Sequence, residues 1–227
     1  MKAATPGLDE QRQVAPENPV LPAGWAWISL EHLAASEPNA ITDGPFGSNL
    51  KTEHYTGGGP RVIRLQNIGD GDFLDARAHI SEDHFARLGR HHVRAGDLVV
   101  AALGETLPRA CVVPDHVGPA LVKADCIRVR PNPELVSAQF MALALNSPYI
   151  RKRTTATVHG VGRPRLNLGE VRSIRLPIAP EPEQRRIVDE VEKQFTRLDA
   201  AVASLQRVNA NLKRYRASVL KAACEGR

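Results

Sequence analysis

Up to residue 180 the apolar residues come in short runs broken by glycine and proline; beyond it they recur every three or four residues. Short runs with partial alternation mark half-buried strands, and a three–four spacing marks one face of a helix. Order is expected to begin near LPAGWAWISL (Leu21–Leu30), where Trp25, Trp27 and Leu30 anchor the first element. ITDGPFGSNLK (Ile41–Lys51) has the glycine, proline and asparagine of an irregular loop. GGG at 57–59 predicts a turn, and PRVIRLQNI (Pro60–Ile68) a strand that GDGD closes. Ser81 is placed to cap a short helix through Leu88. GDLVVAALG and RACVVPD read as compact β runs, and ALVKADCIRVRP as one further strand. Ser137 opens a helical stretch, AQFMALALN, and Ser147 before Pro148 resembles a second helix start, because proline suits the first helical position. SIRLPI is a final short strand. These elements predict a mixed α+β domain over residues 21–179.

Residues 180–224 are different in kind. Val188, Val191, Phe195, Leu198, Val202, Leu205, Asn209, Leu212, Arg216 and Val219 fall at alternating spacings of three and four, the a/d pattern of a coiled coil. Glu181 and Glu183 sit in the first turn, where the helix dipole favours acids, and Lys213, Arg214, Arg216 and Lys221 lie toward the other end. At about 1.5 Å per residue the helix is a rod of about 60 Å. Such a seam needs a partner, either a second helix or the surface of its own domain. Asn209 at a core position costs stability and fixes register or partner number.

Charge changes the picture of the domain. Of 30 basic residues only seven are lysine, which leaves 23 arginines. Arginine forks bind guanine edges and phosphates bidentately, although a GC-rich genome raises arginine in the same way. Between Arg151 and Arg175 there are seven basic residues and one acid, Glu170, whereas the first sixty residues hold three bases and seven acids. A local cationic patch on a nearly balanced body is the footprint of a polyanion binder. HGVGRPRLN (His159–Asn167) lies in that patch, just ahead of the long helix.

Most catalytic classes find no support. NSPY (146–149) differs by one residue from the Asn-Pro-Pro-Tyr motif of adenine-N6 methyltransferases, and a helix end followed by a Ser-Pro helix start explains it. No lysine has an acid two residues before it, as a metal-dependent nuclease would want, and no phosphate-loop pattern occurs. Gly160-Val161-Gly162 lacks the third glycine of a dinucleotide loop, and His91-His92 reads as a solvated pair without further ligands. Cys111, Cys126 and Cys224 are too few and too scattered for a zinc cluster or a disulfide framework, so a reducing compartment is expected. No apolar run reaches about 18 residues, the length of a membrane span. The first twenty residues are polar and proline-bearing and are expected to form a disordered tail.

The strings LPAGWAWISL, ITDGPFGSNLK, PRVIRLQNIGDG, GDLVVAALG, VGRPRLNLGEVRSIRLPI and APEPEQRRIV, in that order, resemble a DNA-specificity (S) subunit of type I restriction–modification systems. The resemblance runs from about Leu21 to the C-terminus. It implies a target-recognition domain followed by a spacer helix. In that family the domain grips one half of a bipartite site on double-stranded DNA, and spacer helices pair antiparallel to set the half-site distance. Methyltransferase (modification) subunits dock on the subunit, and a restriction–translocation subunit can join. The subunit is not itself an enzyme and calls for no cofactor and no metal. A prokaryotic cytoplasm is the implied location.

Family members carry two recognition domains and two helices, whereas no internal repeat is found here. The expectation is therefore a half-length form with one recognition domain. It would homodimerise through Val188, Val191, Phe195, Leu198, Val202, Leu205, Asn209, Leu212 and Val219. Pairing with a different half-subunit, or a fragment of a longer chain, are the alternatives. Candidate DNA contacts are Ser48, Asn49 and Lys51 in the first loop, and Arg64, Gln66 and Asn67 at the presumed strand end, with Arg64 and Gln66 on one face. Others are His159, Arg163, Arg165 and Asn167 in the cationic loop, with Glu105–Arg109 as a further loop. Gly160 and Gly162 would let the backbone approach DNA. Arg163 and Arg165 can take guanine edges or phosphates, and Asn167 an adenine or a structural turn bond. A stand-alone dimeric DNA-binding regulator is the competing reading, and a self-contained methyltransferase a third.

Overall fold

A computed structural model describes residues 18–157 and 164–226. The chain divides into two units, one ending at Gln184 and the other starting at Arg185. In chain order the first unit holds β1 (Ala26–Ser29), α1 (Leu30–Leu33), β2 (Ile41–Asp43), β3 (Tyr55–Ile63), β4 (His79–Ile80), α2 (Glu82–Arg87), β5 (His92–Val93) and β6 (Leu98–Ala101). It continues with β7 (Arg109–Val112), β8 (Ala120–Val122), β9 (Cys126–Val129), α3 (Ala138–Asn146), α4 (Pro148–Thr157), α5 (Leu168–Ser173) and β10 (Arg175–Ile178). One helix, α6 (Glu181–Cys224), begins in this unit and makes up the second. The fold class is mixed α+β with a long C-terminal helix. None of the helices described is long and apolar enough to cross a membrane.

Three sheets carry the first unit. β2, β9, β6 and β7 form an antiparallel sheet in that order. β4, β3, β8 and β5 form a mixed one, with β3 and β8 parallel. β1 pairs antiparallel with β10, joining the first strand of the unit to its last. Leu98, Val99, Val100 and Ala101 of β6 are fully buried, as expected of a strand covered on both faces. Val62, Ile80, Leu121 and Leu50 form a core cluster, against which Tyr55, Phe85 and Leu88 pack.

The helix starts follow their polar caps. The Ser81 hydroxyl accepts the His84 N–H at 3.3 Å and that of Ser137 accepts the Phe140 N–H at 3.2 Å. Asn146 ends α3 and faces β7. Its Oδ1 accepts the Ala110 N–H at 3.0 Å and its Nδ2 donates to the Ala110 carbonyl at 2.7 Å. The asparagine of NSPY is thus spent on the sheet.

Three expectations fail locally. Gly57–Gly59 is part of β3, where the register against β4 shifts between Thr56 and Arg61. Gly59 has φ +111°, and a β-carbon there would lie 2.4 Å from the Ile80 carbonyl oxygen. ALVKADCIRVRP is two strands, because Asp125 turns the chain at φ +68°. His91 and His92 are not a solvated pair. His91 is buried with Nδ1 donating to the Asp43 carbonyl at 2.6 Å, and His92 stacks on Phe85 at 3.7 Å between ring centroids.

Asp97, Arg128 and Arg130 are held by defined partners. Asp97, 2% exposed, takes both Arg130 nitrogens at 2.8 Å and the Arg94 N–H at 2.9 Å. Arg130 also pairs with Glu37 and holds that carboxyl below the usual range, while Arg128, 3% exposed, donates to the His92 and Asn39 carbonyls. A bidentate fork in a buried setting is the geometry that offsets desolvation.

Gln184 accounts for the Pro-x-x-x-Gln lead-in to the long helix. It is 1% exposed; Nε2 donates to Leu135 at 3.0 Å and Ala179 at 2.9 Å, and Oε1 accepts the Ser137 N–H at 3.0 Å. Gln184→Ala strands these three backbone groups and should lower unfolding free energy by about 2–4 kcal/mol in urea titration. Gln194→Ala, on the exposed part of α6, should stay within about 0.5 kcal/mol.

Burial holds the His91 imidazole below its ordinary pKa. The unfolded ring therefore protonates first, and the stability tied to neutral His91 is full above about pH 6.5 and lost as the pH falls below it. Urea unfolding should show a decline between about pH 7.5 and about pH 5.5 that His91→Asn, which keeps a donor for Asp43, makes shallower.

Candidate nucleic-acid interface

The predicted contacts divide into those that face outward and those that build the fold. Ser48 and Asn49 lie in an exposed 3-10 turn, Gly47–Asn49, entered through Gly47 at φ +60°. Lys51 follows, exposed, with Nζ 3.7 Å from Glu53. The turn is held from beneath: His84 Nε2 donates to the Asn49 carbonyl at 2.7 Å, and Arg87 donates to His84 Nδ1 at 3.0 Å.

The loop sits against another turn. Gly44 comes so close to the link between β8 and β9 that a β-carbon would lie 2.1 Å from the Lys123 carbonyl carbon. Glycine is required there for space. This brings Phe46, 46% exposed, under the Arg165 guanidinium, whose carbon is 5.5 Å from the ring centroid. Arg165 also pairs with Asp125 at 2.7 Å. Lys123 Nζ lies over the Tyr55 ring at 5.5 Å. The structure thus joins the first loop to the end of the cationic loop. Sequence reasoning missed Phe46, Lys123 and Asp125; an aspartate among strand-like residues was the available turn signal.

The Arg64–Asn67 expectation changes most. β3 ends at Ile63, so Arg64 and Gln66 share no strand face; Leu65–Asn67 is a 3-10 turn. Gln66 is exposed, and Arg64 reaches the Arg77 carbonyl at 3.3 Å. Asn67 is 1% exposed and faces no partner molecule. Its Oδ1 accepts the Arg64 N–H at 2.9 Å, and its Nδ2 donates to Leu74 at 2.7 Å and Ala76 at 2.8 Å. Asn167 takes the structural role. Its Oδ1 accepts the Glu170 N–H at 2.9 Å while Glu170 accepts the Asn167 N–H at 2.7 Å, a capping box that starts α5. His159 and Arg163, with Gly160 and Gly162, lie outside the described residues, as does most of the expected N-terminal tail.

The cationic patch is smaller than its charge count. Arg151 pairs with Asp70 at 2.7 Å, Arg153 packs over Trp27 and Tyr149, Arg172 donates to Ile41 at 3.2 Å and Arg175 to Trp27 at 2.8 Å. In the described residues no group of three or more His, Cys, Asp or Glu is placed to hold a metal.

Within the second unit Val188 is buried and Val191 half-buried. Phe195, Leu198, Val202, Leu205, Leu212 and Val219 are 43–68% exposed, and Asn209 is exposed. Val208 and Tyr215, one residue ahead of Asn209 and Arg216, are 50% and 69% exposed and widen the apolar row. The heptad reading passed over both.

Asn67→Ala should lower stability by about 1–3 kcal/mol in chemical denaturation, because it strands three buried backbone groups. Lys51→Ala, exposed, should leave stability within about 0.5 kcal/mol.

No family model matches the chain. The specificity subunit of the type I restriction enzyme EcoBI from Escherichia coli is 25% identical over 169 residues, which cover 74% of this chain and 35% of that protein. The MjaVIII specificity subunit from Methanocaldococcus jannaschii is 20% identical over 177 residues, 76% of this chain and 40% of that one. Among solved structures, a chain from work on assembly and conformational transition of the type I R-M system superposes with a TM-score of 0.66 at 20% identity, covering 93% of this chain and 49% of that one. The HsdS subunit of Thermoanaerobacter tengcongensis gives 0.53 at 17% identity, over 81% of this chain and 41% of that one. This chain therefore matches half or less of the length of each of these four proteins. In sequence and in fold it is similar to the specificity subunits of type I restriction enzymes.

Proposed function

We propose that the chain is a non-catalytic specificity subunit of a type I restriction–modification system. Residues 21–179 grip one half of a bipartite site on double-stranded DNA, and the helix over 180–224 pairs antiparallel with that of a second copy. The pair directs adenine-N6 methyltransferase subunits, and a restriction subunit where one joins, to the site. The observation that carries this reading is a single recognition-type unit followed by a 44-residue helix with a solvent-facing apolar row, in a chain similar to specificity subunits. Nine large apolar side chains on that helix are 43–69% exposed, more contiguous apolar surface than a monomer ordinarily leaves in water. A two-fold pair buries the row against itself and places two identical recognition units on one duplex. Protein symmetry then appears as symmetry of the DNA site.

The test is a map of adenine methylation in cells that supply the cognate methyltransferase, with and without this chain. A new palindromic bipartite motif is expected. An asymmetric motif would replace the second copy with a different half-subunit. No new methylation, together with tight DNA binding by the chain alone, would sink the reading in favour of a free-standing regulator. Leu205→Asp with Leu212→Asp should turn the pair into monomers in sedimentation and erase the motif.

A further inference from the structure

Arg165 is held differently from the other exposed cations of the interface. Its guanidinium pairs with Asp125 at 2.7 Å and lies over Phe46 at 5.5 Å, yet its side chain is 52% exposed. Both ends of the ion pair hang on one residue. The Ala102 N–H donates to the Asp125 carbonyl at 2.8 Å, and the Leu166 N–H donates to the Ala102 carbonyl at 2.7 Å. Gly104 N–H adds a bond to the Pro164 carbonyl at 3.2 Å. Arg165 and Asp125 are thus fixed relative to each other through the end of β6. The fork is oriented before any ligand arrives, so less side-chain freedom is lost on binding.

The carboxylate decides what such a fork is suited to. A phosphate brought to Arg165 would also meet the negative Asp125. The pair has no net charge, so it gains little from the counterion release that drives phosphate binding. A guanine edge presents two neutral acceptors, O6 and N7, to which the carboxylate is nearly indifferent. A guanine requires both N–H groups at fixed angles, and the ion-pair contact and the ring confine the guanidinium to one place from which both can be presented. A contact made only for charge needs neither.

We infer that Arg165 reads a guanine of the target in the major groove, with Asp125 and Phe46 as its positioning residues; this rests on the reading of the chain as a sequence-specific DNA binder. Asp125 improves specificity while opposing general attraction to DNA.

The experiment selects from a pool of randomised DNA duplexes with the full chain, together with its methyltransferase subunits, and compares wild type with Arg165→Lys and Asp125→Asn. Asparagine tolerates the positive φ at position 125. Wild type should enrich a motif containing a guanine for which both variants lose preference by about 5- to 150-fold, the range of one bidentate base contact. The slope of log affinity against log salt should change by less than about one phosphate's worth in Arg165→Lys, which keeps the charge. The inference is overturned if Arg165→Lys keeps the full motif, or if Asp125→Asn binds every sequence more tightly with the motif intact, as a phosphate contact relieved of a nearby acid would. Should Asp125→Asn not fold, Phe46→Leu replaces it with the same expectation. A wild-type chain that enriches no motif would overturn the proposed function itself.

Discussion

The candidate interface depends on a contact that contains no side chain. Gly44 presses against the Lys123–Ala124 backbone, where a β-carbon would lie 2.1–2.5 Å from main-chain atoms. Backbone cannot give way as the end of a flexible side chain can. Whatever follows Gly44 in the chain is therefore seated on the turn between β8 and β9. Phe46 and Asp125 both come within reach of Arg165. The loop from Ser48 to Lys51 then runs over α2, where His84 takes the Asn49 carbonyl. Three segments far apart in sequence thus meet at one place because one residue has no side chain.

Much of the fold was legible because its signals are local. Ser81 and Ser137 cap the helices they were expected to cap, and Pro148 starts α4. A cap acts within one helical turn, so a single sequence carries it. The failures involve partners distant in the chain. Gly57–Gly59 looks like a turn, yet β4 holds it in a strand. Lys123–Asp125 interrupts what reads as one strand, and the break is set by a left-handed aspartate and by Gly44, eighty residues earlier. Asn67 looks like a polar tip and is a buried bracket, because the carbonyls it satisfies belong to Leu74 and Ala76.

The candidate site was legible only in part. Counting charge picked out a segment whose described arginines are largely engaged by the fold. An arginine that donates to a carbonyl across a strand pair, as Arg175 does to Trp27, contributes to the count and stabilises the fold. Only the three-dimensional partner tells the two uses apart. The same holds in reverse for Asp125. An acid lowers the charge count of its neighbourhood, yet here it pairs with the exposed Arg165. Net charge speaks to attraction, and the arrangement of charge speaks to discrimination.

The long helix shows the same division between pattern and partner. Its spacing is readable to the residue, but spacing does not say how wide the apolar row is. From Leu205 onward Val208 and Tyr215 continue a three–four spacing beside the one that runs through Asn209 and Arg216. Two overlapping frames make the C-terminal half of the row broad, while Phe195, Leu198 and Val202 form a narrow stripe nearer the start. In an antiparallel pair the narrow stripe of one helix meets the broad row of the other, and two-fold symmetry repeats that match at both ends. A parallel pair would set broad against broad and narrow against narrow, bringing Asn209 and Arg216 onto their own copies. Arg216 against Arg216 carries a like-charge penalty that the antiparallel arrangement avoids. The charge at Arg216 thus weighs against a parallel pair.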